Sequence, residues 1–422
     1  MSSSGERLSY ERIFGALNAA VALGLAFHLA SELVSPREIA STDFTVFRTG
    51  WELILDGRAR ELYDAPAQEA VQTALLAKVG SHGFQSGMMA FLHPPQAALA
   101  GCALGLVARH AGVPIAFWLW TAMSLWFLVR LARLVSDELG GGRGTAALVG
   151  VTLAAFYPAL EALQQGQVSS LLALAALACV ISVRERRAWV AALWMLALSI
   201  KPQTLPPVLI VLAARREWRV LTRAAAVGLA AFCVSSFVLG WRVWPDYLTH
   251  LPALERYFGV GTPDHMPTLR GLLTRVLGEG ARRGSDVATL VTWGAALGAA
   301  AVAALRTRGN AEGRGAWAFA MAAGAITSPH LFPQDVLVWV APVALVLALS
   351  RQDGGAVFRV RSRIVLAWPL WFVLARALDI RDTPRPRLPI DLLLVPLVIA
   401  TGWAWRAAAD AQRTSPSAAR LT

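Results

Sequence analysis

Four short polar stretches in this sequence carry side chains able to move a proton or hold an anion, and each lies beside a long apolar run. Ser41-Thr-Asp-Phe44 offers Asp43, a carboxylate that can act as a general base. Lys201-Pro-Gln203 offers an ammonium that can neutralise a phosphate as a point charge. Ser328-Pro-His330, followed by Asp335, displays an imidazole between helix-breaking prolines, where it can serve as a base or as a hydrogen-bond partner of an acceptor. Gln164-Gln-Gly-Gln167 supplies amides for hydroxyls. Ionisable groups at bilayer depth are costly, so those that persist there are candidates for function. Each also has a plainer reading. Asp43 follows Thr42 at the start of a helical pattern and could be an N-cap. Lys201 could snorkel to the headgroups, His330 could be an interfacial side chain, and the glutamines could cap a turn.

The elements that must position these groups are apolar helices. The chain of 422 residues is 56% hydrophobic and only 16% charged, with a mean hydropathy of +0.51, whereas soluble domains carry about 25% charged residues. Runs approaching the roughly 20 apolar residues that cross a ~30 Å hydrocarbon core recur from Ile13 to Trp405. The expected fold class is an all-α polytopic membrane protein with about 11 to 13 transmembrane helices. Residues 1–422 then form a single integral membrane domain, with a first transmembrane helix at 13–33 and a first outer loop at 34–95. The remaining transmembrane helices fall at 96–408 and a cytoplasmic tail at 409–422. The first helix reads as retained, because it is long and no A-x-A-like cleavage site follows it.

The net charge of +12 resides in short arginine clusters between apolar runs, without a basic domain or an aromatic-basic platform, so membrane topology explains it and nucleic acid does not. Arg184 to Arg187, Arg215 to Arg223, Arg306 to Arg314, Arg351 to Arg363 and the tail from Arg406 should face the cytoplasm. The loops at Pro36 to Pro95, Tyr157 to Gln167, Lys201 to Gln203, Trp241 to Thr268, Ser328 to Asp335 and Asp379 to Leu388 should share the outer face. The alternation is clean from Tyr157 onward. Before it, Gln96 to Arg109 and Val113 to Val129 look like two spans, which would leave Arg130 to Arg143 outside; if one of the two only dips into the interface, that cluster falls inside. Cys102, Cys179 and Cys233 lie in apolar runs with no metal-binding or disulfide spacing.

Three local expectations concern the polar stretches themselves. Asp43 opens an amphipathic helix whose apolar side carries Phe44, Phe47, Trp51 and Ile54. The apolar segments flanking Lys201 are each about 14 residues, or ~21 Å of helix, so two half-length helices should meet there and line a water-filled cavity. The basic stretch Arg270 to Arg283 reads as an amphipathic helix lying on the membrane.

In chain order, Asp43-Phe, Leu62-Tyr-Asp64, His93-Pro-Pro95, Gly166-Gln167, Lys201-Pro-Gln203 with Arg215-Arg216-Glu-Trp218, and Ser328-Pro-His330 with Asp335 resemble glycosyltransferase family 87. That family comprises membrane transferases dependent on polyprenyl-phosphate sugars, and the likeness runs roughly from Asp43 to Leu349. It implies a GT-C-type glycosyltransferase fold and a sugar donor carried on undecaprenyl or decaprenyl phosphate. Chemistry is implied at the outer face of the plasma membrane. By this resemblance Asp43 corresponds to the acidic residue of the first outer loop and His330 to the late outer-loop histidine, the two candidates for the base. One position departs: His93 stands where members commonly have an aromatic residue such as tyrosine before Pro-Pro.

The expected activity is transfer of a hexose, mannose by the resemblance, from a polyprenyl-phosphate donor to a lipid or glycan acceptor. Asp43 or His330 removes the acceptor proton, and Lys201, helped by Arg48, stabilises the leaving phosphate. Tyr63, His93, Gln165, Gln167, Gln203 and Asp335 complete the substrate-binding set. No Asp-x-Asp pair is present, so metal-independent chemistry without a cofactor is expected, and one base without a second carboxylate nucleophile implies inversion. A transporter or lipid flippase would also need broken helices and charges at depth. Against it, the two halves show no inverted repeat and the polar residues cluster at one face.

Overall fold

The computed structural model describes residues 3–32, 35–80, 88–257, 266–278, 282–308, 313–352, 355–379 and 388–413. The centre of the expected outer loop Asp379 to Leu388 and most of the tail 409–422 lie outside the described residues, as do parts of the loops at 34–95, 241–268, 306–314 and 351–363. Every regular element among the described residues is helical. They are α1 (Ser3–Glu32), α2 (Pro36–Ala40), α3 (Asp43–Leu55), α4 (Ala65–Ala77), α5 (Pro95–His110), α6 (Val113–Glu138) and α7 (Arg143–Ala154). Next come α8 (Tyr157–Gln164), α9 (Ser169–Arg184), α10 (Ala188–Leu198), α11 (Leu205–Ala214), α12 (Trp218–Leu239) and α13 (Val243–Tyr257). The last are α14 (Leu269–Leu277), α15 (Arg282–Arg306), α16 (Arg314–Ile326), α17 (Val340–Gln352), α18 (Ala356–Asp379) and α19 (Leu388–Arg413).

The chain is an all-α polytopic membrane protein. Among the described residues, five helices are long and apolar enough to cross a bilayer: Tyr10–Ser31, Val113–Glu138, Trp218–Leu239, Gly284–Arg306 and Pro333–Gln352. A sixth crossing exists if α7 and α8, bent by 63° at their junction, form one broken span. The other apolar helices, α9, α10, α11 and the Leu394–Ala409 part of α19, are shorter. Helix α9 is buried on almost every side and forms the centre of the bundle. Helix α12 is its opposite, with Leu229, Phe232, Phe237 and Val238 facing outward, as lipid-exposed side chains should.

Helices α10 and α11 meet at a 3-10 turn, Pro202–Thr204, immediately after Lys201. Pro202 lacks an N–H and disfavours helical backbone in the residue before it, so Lys201 takes an extended conformation (φ −117°, ψ 93°) and the helix cannot run through. The half-length helices expected on either side of Lys201 are therefore present.

Of the two early apolar runs, Val113 to Val129 belongs to a crossing and Gln96 to Arg109 does not meet its length and hydropathy. Helix α5 lies along α3 instead. Gly101 and Gly105 present bare backbone to α3; a Cβ at Gly101 would overlap the Trp51 indole, and one at Gly105 would stand 3.0 Å from Leu55 and Trp51. At the far end of this pair Arg109 bridges Glu52 (2.6 Å) and Asp56 (2.5 Å). The apolar side of α3 is as anticipated, with Phe44, Phe47 and Trp51 fully buried. Its polar side is covered too, so α3 is enclosed by protein and does not lie free on a surface.

The basic clusters gather at one end of the bundle. Glu138, closing α6, accepts from Arg184 at the end of α9 (2.6 Å) and from Arg314 at the start of α16 (2.5 Å). Arg215 donates to the Thr307 carbonyl and Arg308 to that of Ala214. Helix α9 runs from this end to the opposite one, where Ser169 bonds to Asp335.

Candidate active site

At the opposite end the polar stretches converge. Thr42 occupies the N-cap position of α3 without capping it; its hydroxyl turns back to the Ile39 carbonyl (2.7 Å). Asp43 follows as the first helical residue and does not cap either. Its Oδ2 accepts a hydrogen bond from Gln167 Nε2, and its backbone N–H faces Gln165 Oε1 at 3.4 Å. The turn supplying both amides fits against α3 because Gly166 has φ +64° and no side chain; a Cβ there would come within 2.8 Å of Phe44. Gln167 Oε1 is buried with no partner.

Lys201 and Asp335 form a buried pair, Nζ to Oδ1 at 2.5 Å. Ser169 Oγ donates to the same oxygen (2.7 Å), and the Phe332 N–H approaches Oδ2 (3.3 Å). A buried pair of this kind persists only when its spare hydrogen-bonding capacity is met. Both oxygens of Asp335 have donors from within the fold, whereas an ammonium has three donors and Lys201 spends one on Asp335.

The loop bearing His330 is held by its backbone. Gln203 Nε2 donates to the His330 carbonyl (2.9 Å), Ser328 Oγ faces the His330 N–H (3.3 Å), and Arg270 Nη1 donates to the Pro329 carbonyl (2.7 Å). The imidazole itself meets Phe332 edge-on, with centroids 5.0 Å apart. His93 stands across the site. Its Nδ1 lies 3.1 Å from the Ile200 carbonyl, its ring stacks on Phe47 at 4.5 Å, and its own carbonyl accepts from Tyr63 Oη (2.7 Å).

Burial makes charge expensive here. It pushes Asp43 up to about 6, against the pull of the Gln167 hydrogen bond and the Lys201 charge, with Glu161 and Asp335 adding to the rise. Burial and the Lys201 ammonium pull both His93 and His330 down to about 4. At neutral pH the site therefore holds an ionised carboxylate of high proton affinity and two uncharged imidazoles. Between α9, α10, α11 and α16 a narrow cleft opens beneath Lys201, Gln203, His330 and Asp335, with apolar walls that include Leu172, Val208 and Met321.

The family model of glycosyltransferase family 87 matches residues 91–333, more than half of the chain. The chain belongs to glycosyltransferase family 87. It is thus a membrane glycosyltransferase, acting between a sugar donor and an acceptor. Searches of curated proteins and of solved structures returned no match. The family match takes in His93, Gln165, Gln167, Lys201, Gln203 and His330. Asp43, Arg48, Tyr63 and Asp335 lie outside it, so their nearness to the site rests on the geometry alone.

Two expected residues are engaged elsewhere. Arg48 bonds to Glu52 (3.1 Å), within the α3–α5 contact, because a position five residues past Asp43 faces a different side of the helix. Tyr63 supports the His93 backbone through its hydroxyl. Three neighbours were not foreseen. Ser169 sits unremarkably at the head of an apolar run. Glu161 carries no motif, yet it accepts from the Tyr157 hydroxyl and its charge reaches Asp43. Arg270 belongs to the expected amphipathic segment, where α14 does carry exposed Val276 and Leu277, but its guanidinium turns inward to Asp286 and Pro329.

Proposed function

We propose that this family 87 enzyme moves a hexose, mannose in our reading, from a polyprenyl-phosphate donor to a hydroxyl of a lipid or glycan at the outer face of the plasma membrane. The observation that carries the proposal is the convergence of Asp43, Gln167, Lys201 and His330 from four distant segments at the end of the bundle opposite the arginine clusters. With those clusters in the cytoplasm, as short basic loops prefer, the site faces outward. Counting the half-length helices as crossings and α5 as a surface helix gives about twelve spans, with both termini inside.

In this mechanism the acceptor oxygen attacks the anomeric carbon, its proton passes to Asp43, and the bond from that carbon to the phosphate oxygen breaks. Polyprenyl phosphate leaves with the electron pair. Asp43 is the base because a carboxylate raised towards neutrality is better matched to the task than an imidazole lowered away from it. His330, uncharged, orients a substrate by hydrogen bonding. Lys201, aimed by Asp335, stabilises the developing phosphate charge in a site of low dielectric, which lets the reaction proceed without a metal ion. A single displacement inverts the anomeric configuration.

Purified enzyme in lipid nanodiscs, supplied with polyprenyl-phosphate mannose or glucose and a mannoside acceptor, tests this directly. Asp43→Asn should lower the transfer rate by about 10² to 10⁴-fold, with the product of the wild type inverted. Full activity in Asp43→Asn would exclude it as the base, and a retained configuration would exclude single displacement.

A further inference from the structure

His93 is fixed in every degree of freedom that an imidazole has. Phe47 stacks on its face with the planes 18° apart, Phe91 meets it edge-on at 5.5 Å, and Tyr63 Oη ties down its carbonyl. Its Nδ1 lies 3.1 Å from the Ile200 carbonyl oxygen. A carbonyl can only accept, so the proton must sit on Nδ1, and in the uncharged ring Nε2 then has a lone pair and no hydrogen. Among the described residues the second nitrogen has no hydrogen bond, although the ring is close enough to Lys201 and Asp335 to feel their charges.

We infer that His93 Nε2 is a preorganised acceptor for a hydroxyl of the sugar being transferred or of the sugar receiving it, and so determines specificity. The inference rests on the glycosyltransferase reading and deepens it. An acceptor with no proton repels an ionised phosphate oxygen, which also has only lone pairs, so His93 and Lys201 divide the site by chemistry. Lys201 attracts the anionic part of the donor, and His93 selects a group that can donate. Because the ring is held before substrate arrives, the bond forms without ordering cost, and a substrate lacking that hydroxyl leaves the nitrogen unpaired.

The test compares the wild type, His93→Phe and His93→Gln in nanodiscs. Donors are prenyl-phosphate mannose and its monodeoxy analogues; acceptors are octyl mannoside and its monodeoxy analogues. Phenylalanine retains the stack on Phe47 and removes the lone pair, while glutamine restores an acceptor oxygen. One deoxy position should lower wild-type kcat/KM about tenfold, in line with a net hydrogen bond of ordinary strength. The same analogue should cost His93→Phe nothing further, and His93→Gln should recover part of the discrimination. The series in which that position falls tells donor from acceptor. Equal discrimination by wild type and His93→Phe at every position overturns the inference. Protein labelled with ¹⁵N-histidine gives a readout independent of turnover: the His93 signal, assigned by its loss in His93→Gln, should report a proton on Nδ1 and a bare Nε2. A proton on Nε2 alone overturns the inference whatever the assay gives. If the wild type transfers no sugar from these donors, the functional reading fails, and the response of the Nε2 signal to octyl mannoside then decides for His93: a shift supports it, no shift overturns it.

Discussion

Asp43 is the base in the mechanism we propose, and its environment makes a pH-dependent prediction. Only the carboxylate can take a proton, so transfer should rise with pH through the proton affinity of Asp43, with the midpoint near 6 and well above the ordinary 3.8. Gln167 holds that value down by bonding the ionised form. Gln167→Met should therefore move the acidic limb of kcat/KM to higher pH, and an unmoved limb would show that another group sets it. Asp43, Gln167, Lys201 and His330 were legible in the sequence because polar groups beside long apolar runs are rare and costly. The same rule could not reach Ser169, which is ordinary in an apolar helix, or Glu161, whose relation to Asp43 exists only across the fold. Arg48 lies on a side of α3 turned away from Asp43 and bonds to Glu52. Glu52, four residues on, was the visible sign of its actual partner.

At the scale of elements, the interruption between α10 and α11 was readable from length and from Pro202, since neither half can span alone. It puts Gln203 at a turn that lines the cleft. A Gln203→Cys variant should react in intact cells with a membrane-impermeant maleimide, and Leu209→Cys, further along α11, should not. Protection of the cysteine at 203 would place the turn away from outside water. The count of early crossings was not readable, because α5 and a short span share the same apolar content. What distinguishes α5 is the pair of glycines fitted to Trp51 and Leu55, and glycine spacing alone does not name the helix it will meet. Side-by-side packing on α3 gives the first-loop helix a rigid backing, so Asp43 is presented from a supported element and not from a mobile loop.

For the whole molecule, the arginine clusters set an expected orientation of most crossings but did not reveal the joint that holds their ends together. Glu138 pairs with Arg184 and Arg314 and is itself buried, so it ties α6, α9 and α16 at the end remote from the chemistry. Glu138→Ala would remove the carboxylate that two largely buried guanidiniums share, at a cost of about 3 kcal/mol. Thermal unfolding of the detergent-solubilised protein should show a lower midpoint, while Glu138→Gln, which retains an acceptor, should lose less. An unchanged midpoint in Glu138→Ala would mean that solvent screens the cluster.

Helix α9 is anchored at both ends, by Ser169 to Asp335 and by Arg184 to Glu138. Its 16 residues measure about 24 Å, less than the ~30 Å of a typical hydrocarbon core. The distance between the reactive floor and the opposite headgroups is thus fixed by a strut shorter than the membrane it stands in. The floor must sit below the outer lipid surface, or the bilayer must thin around it. Membrane thickness thereby becomes a parameter of the reaction: a thicker bilayer sinks the floor further, and the lipid-borne sugar we propose as donor would have to follow it down.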